Sequence, residues 1–294
     1  MSHAVETLPP ETTPSRSNPP LFWVLWRKLW GDACLQLVAS SILLFSFGWI
    51  FVWVVGQLKP GAWSAILKLM PNFMLPIFGV PINELASLNS HLSMLYLDVV
   101  VLVTCIAWAI GRGSDPISGE LGRGTLEMLL AQPIRRVTWL SLHLSVSILG
   151  GVLLAASLIV GQTLGIFMIE LPEKIDPLYY LPAAMNLACL TVCVLGITTL
   201  FSAWEVERWR TIGLMTGFYI VSLIMKVVGR LWEPGEWLHY FTFLTAYEPQ
   251  ILVLRQAEGW GMVFSHCGIL LGIGLVCMTL ALIIFHKRDL PAPL

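Results

Sequence analysis

HLSMLYLDVVVLVTCIAWAI, residues 91–110, decides the fold. Twenty nearly continuous apolar residues are what a helix needs to cross a hydrocarbon core of about 30 Å. A barrel strand would instead alternate apolar and polar residues over roughly 10 positions. Four residues later comes DPISGELGRGTLEMLLAQPIRR, residues 115–136, charged and punctuated by glycine, and then a second long apolar run. The pattern of crossing, polar turn and crossing is that of a helical membrane protein.

The rest of the chain repeats it. The 294 residues are 56% apolar and only 12% charged, with a mean hydropathy of +0.77. Further spans are predicted near 35–55, 138–167, 181–203, 211–229 and 260–285, six in all with 91–110. The predicted fold is therefore an all-α integral membrane protein with six transmembrane helices.

An even number of spans places both termini on one side. Eleven basic residues fall on that side: Arg16, Arg27, Lys28, Arg112, Arg123, Arg135, Arg136, Arg208, Arg210, Lys287 and Arg288. Five fall on the other, Lys59, Lys68, Lys174, Arg230 and Arg255, while Lys226 is expected to snorkel outward from the fifth span. Retention of positive loops predicts an integral protein of the cell (inner) membrane with both termini cytoplasmic. Trp108, Trp139, Trp204, Trp209, Trp237 and Trp260 lie near predicted span ends, where indole rings anchor at headgroup depth.

Outside the spans, residues 1–20 are polar and Pro-rich (LPPETTPSRSNPP at 8–20) and read as a disordered cytoplasmic tail, leaving 21–294 as the membrane domain. In PLFWVLWRKLWGD (20–32), Trp23, Trp26 and Trp30 beside a basic pair predict an N-terminal interfacial helix, with inward extension of the first span as the alternative. LMPNFMLPIFGV (69–80) is too short to cross and is broken by Pro71, Pro76 and Pro81, so it is expected to rest on the outer surface, with a re-entrant segment as the alternative. The outer loop 230–259 is long enough for one or two short interfacial helices.

Several chemistries are missing from the sequence. No G-x-x-x-x-G-K-[ST] phosphate loop occurs, none of the six histidines forms H-x-x-x-H, and there is no G-x-S-x-G. The net charge of −1 gives no basic footprint for nucleic acid. Cys189 and Cys193 share a helix face but have no His or Met cluster beside them, so all six cysteines read as small apolar residues and no metal site is predicted.

The loop 115–136 carries the only specific signal. Asp115-Pro116 reads as the start of a short cytoplasmic helix, with the carboxylate as cap and proline at the first position. Helix through the region would place Glu120, Arg123 and Glu127 on an exposed face and Leu126, Leu129 and Leu130 on an apolar one. Gly119, Gly122 and Gly124 allow a joint, after which Thr125 can cap a second helix.

GELGRGTLEMLLAQPIRR (119–136) resembles the loop between the second and third spans of ABC-2 type transporter permeases: an acidic residue, Gly-Thr-Leu-Glu, a leucine pair, then Pro and Ser or Arg. Glu120, Gly124, Thr125, Leu126, Glu127, Leu129, Leu130, Pro133, Arg135 and Arg136 fill those places, and the basic ending FHKRDLP (285–291) is also similar. The resemblance implies a permease subunit of an exporter, which forms the translocation path with a second permease subunit as homodimer or heterodimer. Separate ABC ATPase subunits would bind ATP and Mg, this chain holding no cofactor. It also implies that 115–136 contains a cytoplasmic coupling helix, with Glu120, Arg123, Gly124, Thr125, Leu126, Glu127 and Leu129 at the ATPase contact.

Inside the spans, Asp98 has to face a partner, water or the bundle interior, as a hydrogen-bonded structural residue or as a candidate for the translocation path. His143 reads as a satisfied interfacial histidine, Asn186 as a bond to a neighbouring helix, and Gly268 with Gly272 as a small-residue face for packing within the chain or between subunits. The alternatives are a membrane-embedded enzyme, which needs converging polar residues, and an accessory membrane protein to whose loop nothing docks.

Overall fold

In the computed structural model the described residues are 21–57, 87–124, 135–172, 174–255 and 259–288. The expected tail 1–20, the segment 69–80 and residues Thr125, Leu126, Glu127 and Leu129 lie outside them. Among the described residues there is no strand, and six helical stretches are long and apolar enough to cross a membrane. The chain is an all-α integral membrane protein.

The long helices are α1 (Leu21–Gln57), α2 (Val99–Ser114), α3 (Arg136–Met168), α4 (Leu181–Trp204), α5 (Arg208–Leu231) and α6 (Gly261–Lys287). No break separates the tryptophan-bearing start of α1 from the first span. At about 1.5 Å per residue the 37 residues of α1 reach ~55 Å, well beyond a ~30 Å core.

The second span is composite. A short helix, Leu88–Ser93, passes into a 3-10 turn, Met94–Leu97, and the chain then goes extended at Asp98 before α2 begins. Asp98 Oδ1 accepts the Val100 amide at 2.8 Å, so the carboxylate caps α2 inside the span.

α4 is the central helix, packed by α6 along most of its length and by α2, α3 and α5 on its other sides, while α1 lies against α3. Small residues allow the closest approaches. A Cβ on Gly196 would sit 2.3 Å from Gly274 O, and one on Gly161 would sit 2.2 Å from Phe45 O. Neither site can take a side chain without parting two backbones. Gly196→Val is expected to lower stability by at least the ~1–3 kcal/mol of an overpacked core, read as a fall in melting temperature in detergent. Gly268 and Gly272, by contrast, have no atom of the described residues within 4 Å of where a Cβ would sit, so no described residue packs closely on the predicted small-residue face.

Two expectations about tryptophan and lysine are corrected. Trp108 and Trp139 are buried in the core instead of anchoring at headgroup depth, whereas Trp204, Trp209, Trp237 and Trp260 are exposed. Trp108 donates its Nε1–H to Ser147 O at 3.0 Å, and its ring lies where Gly150 would carry a Cβ. Lys226 does not snorkel: it is buried, with Nζ donating to Leu244 O (2.9 Å) and Tyr247 O (2.7 Å) and paired with Glu248 at 3.0 Å.

Those partners belong to a re-entrant segment. The 3-10 stretch Glu233–Phe241 folds back along α5, with the Thr242 hydroxyl donating to Ser222 O at 3.1 Å. Phe243 stacks on Phe218, some thirteen residues or about 20 Å from the end of α5. The chain returns through a turn, Phe243–Ala246, and a short helix, Pro249–Leu254. Loop 230–259 thus dips deep among the spans instead of lying at the interface. Asn186 of α4 pins the return, donating to Ala246 O (3.0 Å) and accepting from the Glu248 amide (3.1 Å), the bond to a neighbouring segment expected of it.

Candidate functional site

The ends of α2, α4 and α6 and the starts of α3 and α5 gather on one basic face. Arg136 donates to Arg288 O at 2.7 Å, and Arg288 donates to Ala203 O at 2.7 Å, clasping α3, α6 and α4 together. The segment 115–124 emerges beside this clasp.

Asp115 does not start a new helix. Helix runs through it, and residues 115–119 form a π-turn in which the Glu120 amide donates to Asp115 O. Proline at 116 has no N–H and cannot extend a regular helix, and a π-turn absorbs that defect. The Ser118 amide is then met from α4, by Ser202 Oγ at 3.0 Å. Ser118, Ser202 and Thr211 join through hydroxyl contacts of 3.0 Å, linking the π-turn to α4 and α5.

Freed from capping, the Asp115 carboxylate becomes a hub. Arg123 donates to Oδ1 from both terminal nitrogens at 3.1 Å, and Arg208 at the start of α5 pairs with the same oxygen at 3.2 Å. His143 of α3 places Nε2 3.9 Å from Oδ2, too far for a direct hydrogen bond but within ion-pair reach when protonated. His143 is buried, so the expected interfacial histidine is part of the core of this site. Gly119 lets the carboxylate lie along the helix, since a Cβ there would approach Oδ1 to 3.0 Å.

Glu120 and Arg123 do share a face, but they are turned to one another, with Arg123 Nη2 donating to Glu120 Oε1 at 2.7 Å. Arg123 is held between two carboxylates and stays half exposed. Gly124 has φ +69°, the left-handed conformation that ends a helix at glycine, and it is the last described residue of the segment. Asp98 is a helix cap far along the same span and takes no part in the hub.

Three participants escaped the sequence reading as members of a site: Asp115 as hub, Arg208 and Arg112. Arg208 also donates to Gly111 O at 3.1 Å, tying α5 to α2. Arg112 is buried, rests on the Trp108 ring, and has one terminal nitrogen, Nη2, shielded from solvent without a hydrogen-bond partner among the described residues. A buried unpaired donor is costly, which marks this corner as under-satisfied in the arrangement seen. Beside the hub a surface depression of about 520 Å³ is bounded by Gly119, Gly122, Arg123, Glu207, Arg208 and Trp209. The hub joins the segment that leads into residues 125–134 mechanically to α3, α4 and α5.

Residues 78–290 match the family model described as ABC-2 family transporter protein. No curated protein matches the chain.

Proposed function

The chain belongs to the ABC-2 family of transporter proteins, and from that premise we propose that it is a permease subunit driven through the segment 115–136 by a separate ATPase. The partner chain binds ATP and Mg, and this chain lines the path together with a second permease subunit. The direction proposed is export, from a cell membrane in which both termini are cytoplasmic. The eleven basic residues on the terminal side support that orientation. The tryptophan-bearing start of α1 then lies at the cytoplasmic headgroups.

The observation that carries the coupling is the Asp115 hub. Arg123 and Arg208 meet on one carboxylate oxygen, so a push on the segment after Gly124 is delivered to the start of α5 without slack. Thr125, Leu126, Glu127 and Leu129 supply the docking surface, and Glu120, Arg123 and Gly124 fasten it to the bundle. Exposed charge pairs contribute only about 0–1 kcal/mol each, so docking rests on the segment as a unit. Asp98 stays a candidate for the path, where its cap of α2 interrupts the second span.

The test is co-purification with ABC ATPases from the same genome, with residues 120–130 intact or replaced by a glycine-serine linker. The intact chain is expected to retain an ATPase and alter its ATP hydrolysis, and the linker chain to lose both. An ATPase that binds the linker chain equally well overturns the docking role. Failure of every ATPase to bind the intact chain in detergent and in lipid overturns the coupled permease.

A further inference from the structure

Away from the hub, a cavity of about 670 Å³ opens between α6 on one side and α5 with the re-entrant segment on the other, with α4 as its floor. On α6 it is bounded by His266, Ile269, Ile273 and Cys277, whose eleven-residue reach at about 1.5 Å per residue makes a groove roughly 16 Å long. Its volume falls within the ~300–1,000 Å³ of small-molecule sites.

The lining is graded. Toward the hub side it is apolar, formed by Ile197, Leu200, Phe201 and Phe218. Of its polar members, His239, Thr245 and His266 lie toward the other end, near the exposed Trp237 and Trp260 that mark headgroup depth, while Thr242 spends its hydroxyl proton on Ser222 O and the Tyr240 side chain is exposed. No Asp, Glu, Lys or Arg lines it among the described residues, and an ionic ligand placed there would lose its hydration without compensation.

Two hydrogen-bond valences on its wall are fixed as acceptors by the bonds their residues already make. His266 Nδ1 faces Met262 O at 2.9 Å and has to be the donor there, so the neutral ring presents Nε2 as an acceptor. Thr245 already spends its hydroxyl proton on His239 O at 2.7 Å, leaving oxygen lone pairs. His239 Nδ1, in the same wall, has no hydrogen-bond partner among the described residues and adds a second imidazole that accepts or donates according to its tautomer.

From this we infer that the groove binds a neutral, membrane-dissolved amphiphile with a long apolar body and a hydroxyl donor at one end. The body lies against Phe201, Phe218 and Ile273, and the hydroxyl donates to His266 beneath the headgroups. The site needs no docked ATPase, so its test stands apart from that of the coupled permease.

The test uses the full chain in phosphatidylcholine vesicles, photolabelled with hexadecanol bearing a mid-chain diazirine and mapped by mass spectrometry. Adducts are expected in 197–201, 239–246 and 266–277, suppressed by excess hexadecanol. Hexadecane is expected to compete about three- to ten-fold less well, the worth of one neutral hydrogen bond. His266→Leu should abolish that preference while labelling persists, and Ile273→Trp should fill the groove and reduce adducts to background with the elution profile unchanged. Equal competition by hexadecane overturns the hydroxyl assignment. Labelling spread evenly over the lipid-facing sides of α1 and α5, or adducts joining two copies of the chain across the groove, overturns the site.

Discussion

Glu248→Gln is expected to destabilise the protein by about 3 to 5 kcal/mol, the cost of breaking a buried ion pair by removing one partner. Glu248 is the single carboxylate that Lys226 and Arg230 both meet, and all three side chains are at most 16% exposed. The glutamine keeps the size of the side chain but removes the negative charge that Lys226 and Arg230 share, and it leaves the Lys226 ammonium buried without a countercharge among its described contacts. Lys226 retains its bonds to Leu244 O and Tyr247 O, yet these carbonyls carry no countercharge. The re-entrant segment should release first, since the Glu248 backbone is also where Asn186 holds it. Melting in detergent and hydrogen exchange of residues 233–254 would show it. Lys226→Met in the Glu248→Gln background should recover part of the loss, because it removes one uncompensated charge. A Glu248→Gln chain as stable as the original would mean that the charges do not hold the segment.

The six crossings were legible because crossing a membrane is a demand on length and apolarity, both read along one dimension. What escaped depended on residues distant in sequence. Lys226 near a span end reads as a snorkelling lysine until Glu248 and the re-entrant carbonyls are brought to it by a fold that loop length alone does not reveal. Trp108 reads as a headgroup anchor, and only the paired glycines of α3 make room for its ring in the core. Asp115-Pro116 carries the local signature of a helix start, but Arg123 and Arg208 compete for the carboxylate, and a π-turn lets the helix pass. The resemblance pointed to the segment 115–136, while the residues that tie its described part, 115–124, to the bundle lie on α3, α4 and α5.

Asp115→Asn is the sharpest probe of that tie. The amide has nearly the shape of the carboxylate and can still accept from Arg123 or Arg208, but it leaves Arg112, Arg123 and Arg208 around a site with no negative charge at its centre. Because the Asp115 side chain is 24% exposed, the expected loss is about 1 to 3 kcal/mol, below that of a fully buried pair. The larger effect should be on coupling. An ATPase docked through residues 125–134 would still bind, but its hydrolysis should no longer respond to this chain, because movement of the segment is not passed to α5. Arg208→Gln should give the same result from the other end of the contact. If both act through one link, the double variant should be no worse than either single one, the non-additivity expected of residues in direct contact. Faster hydrogen exchange at 117–124 with ATPase binding retained would locate the fault in the hub. Unchanged response of hydrolysis in both single variants would mean that force reaches the spans by another route, of which the Ser118–Ser202–Thr211 hydroxyl contacts are the nearest alternative.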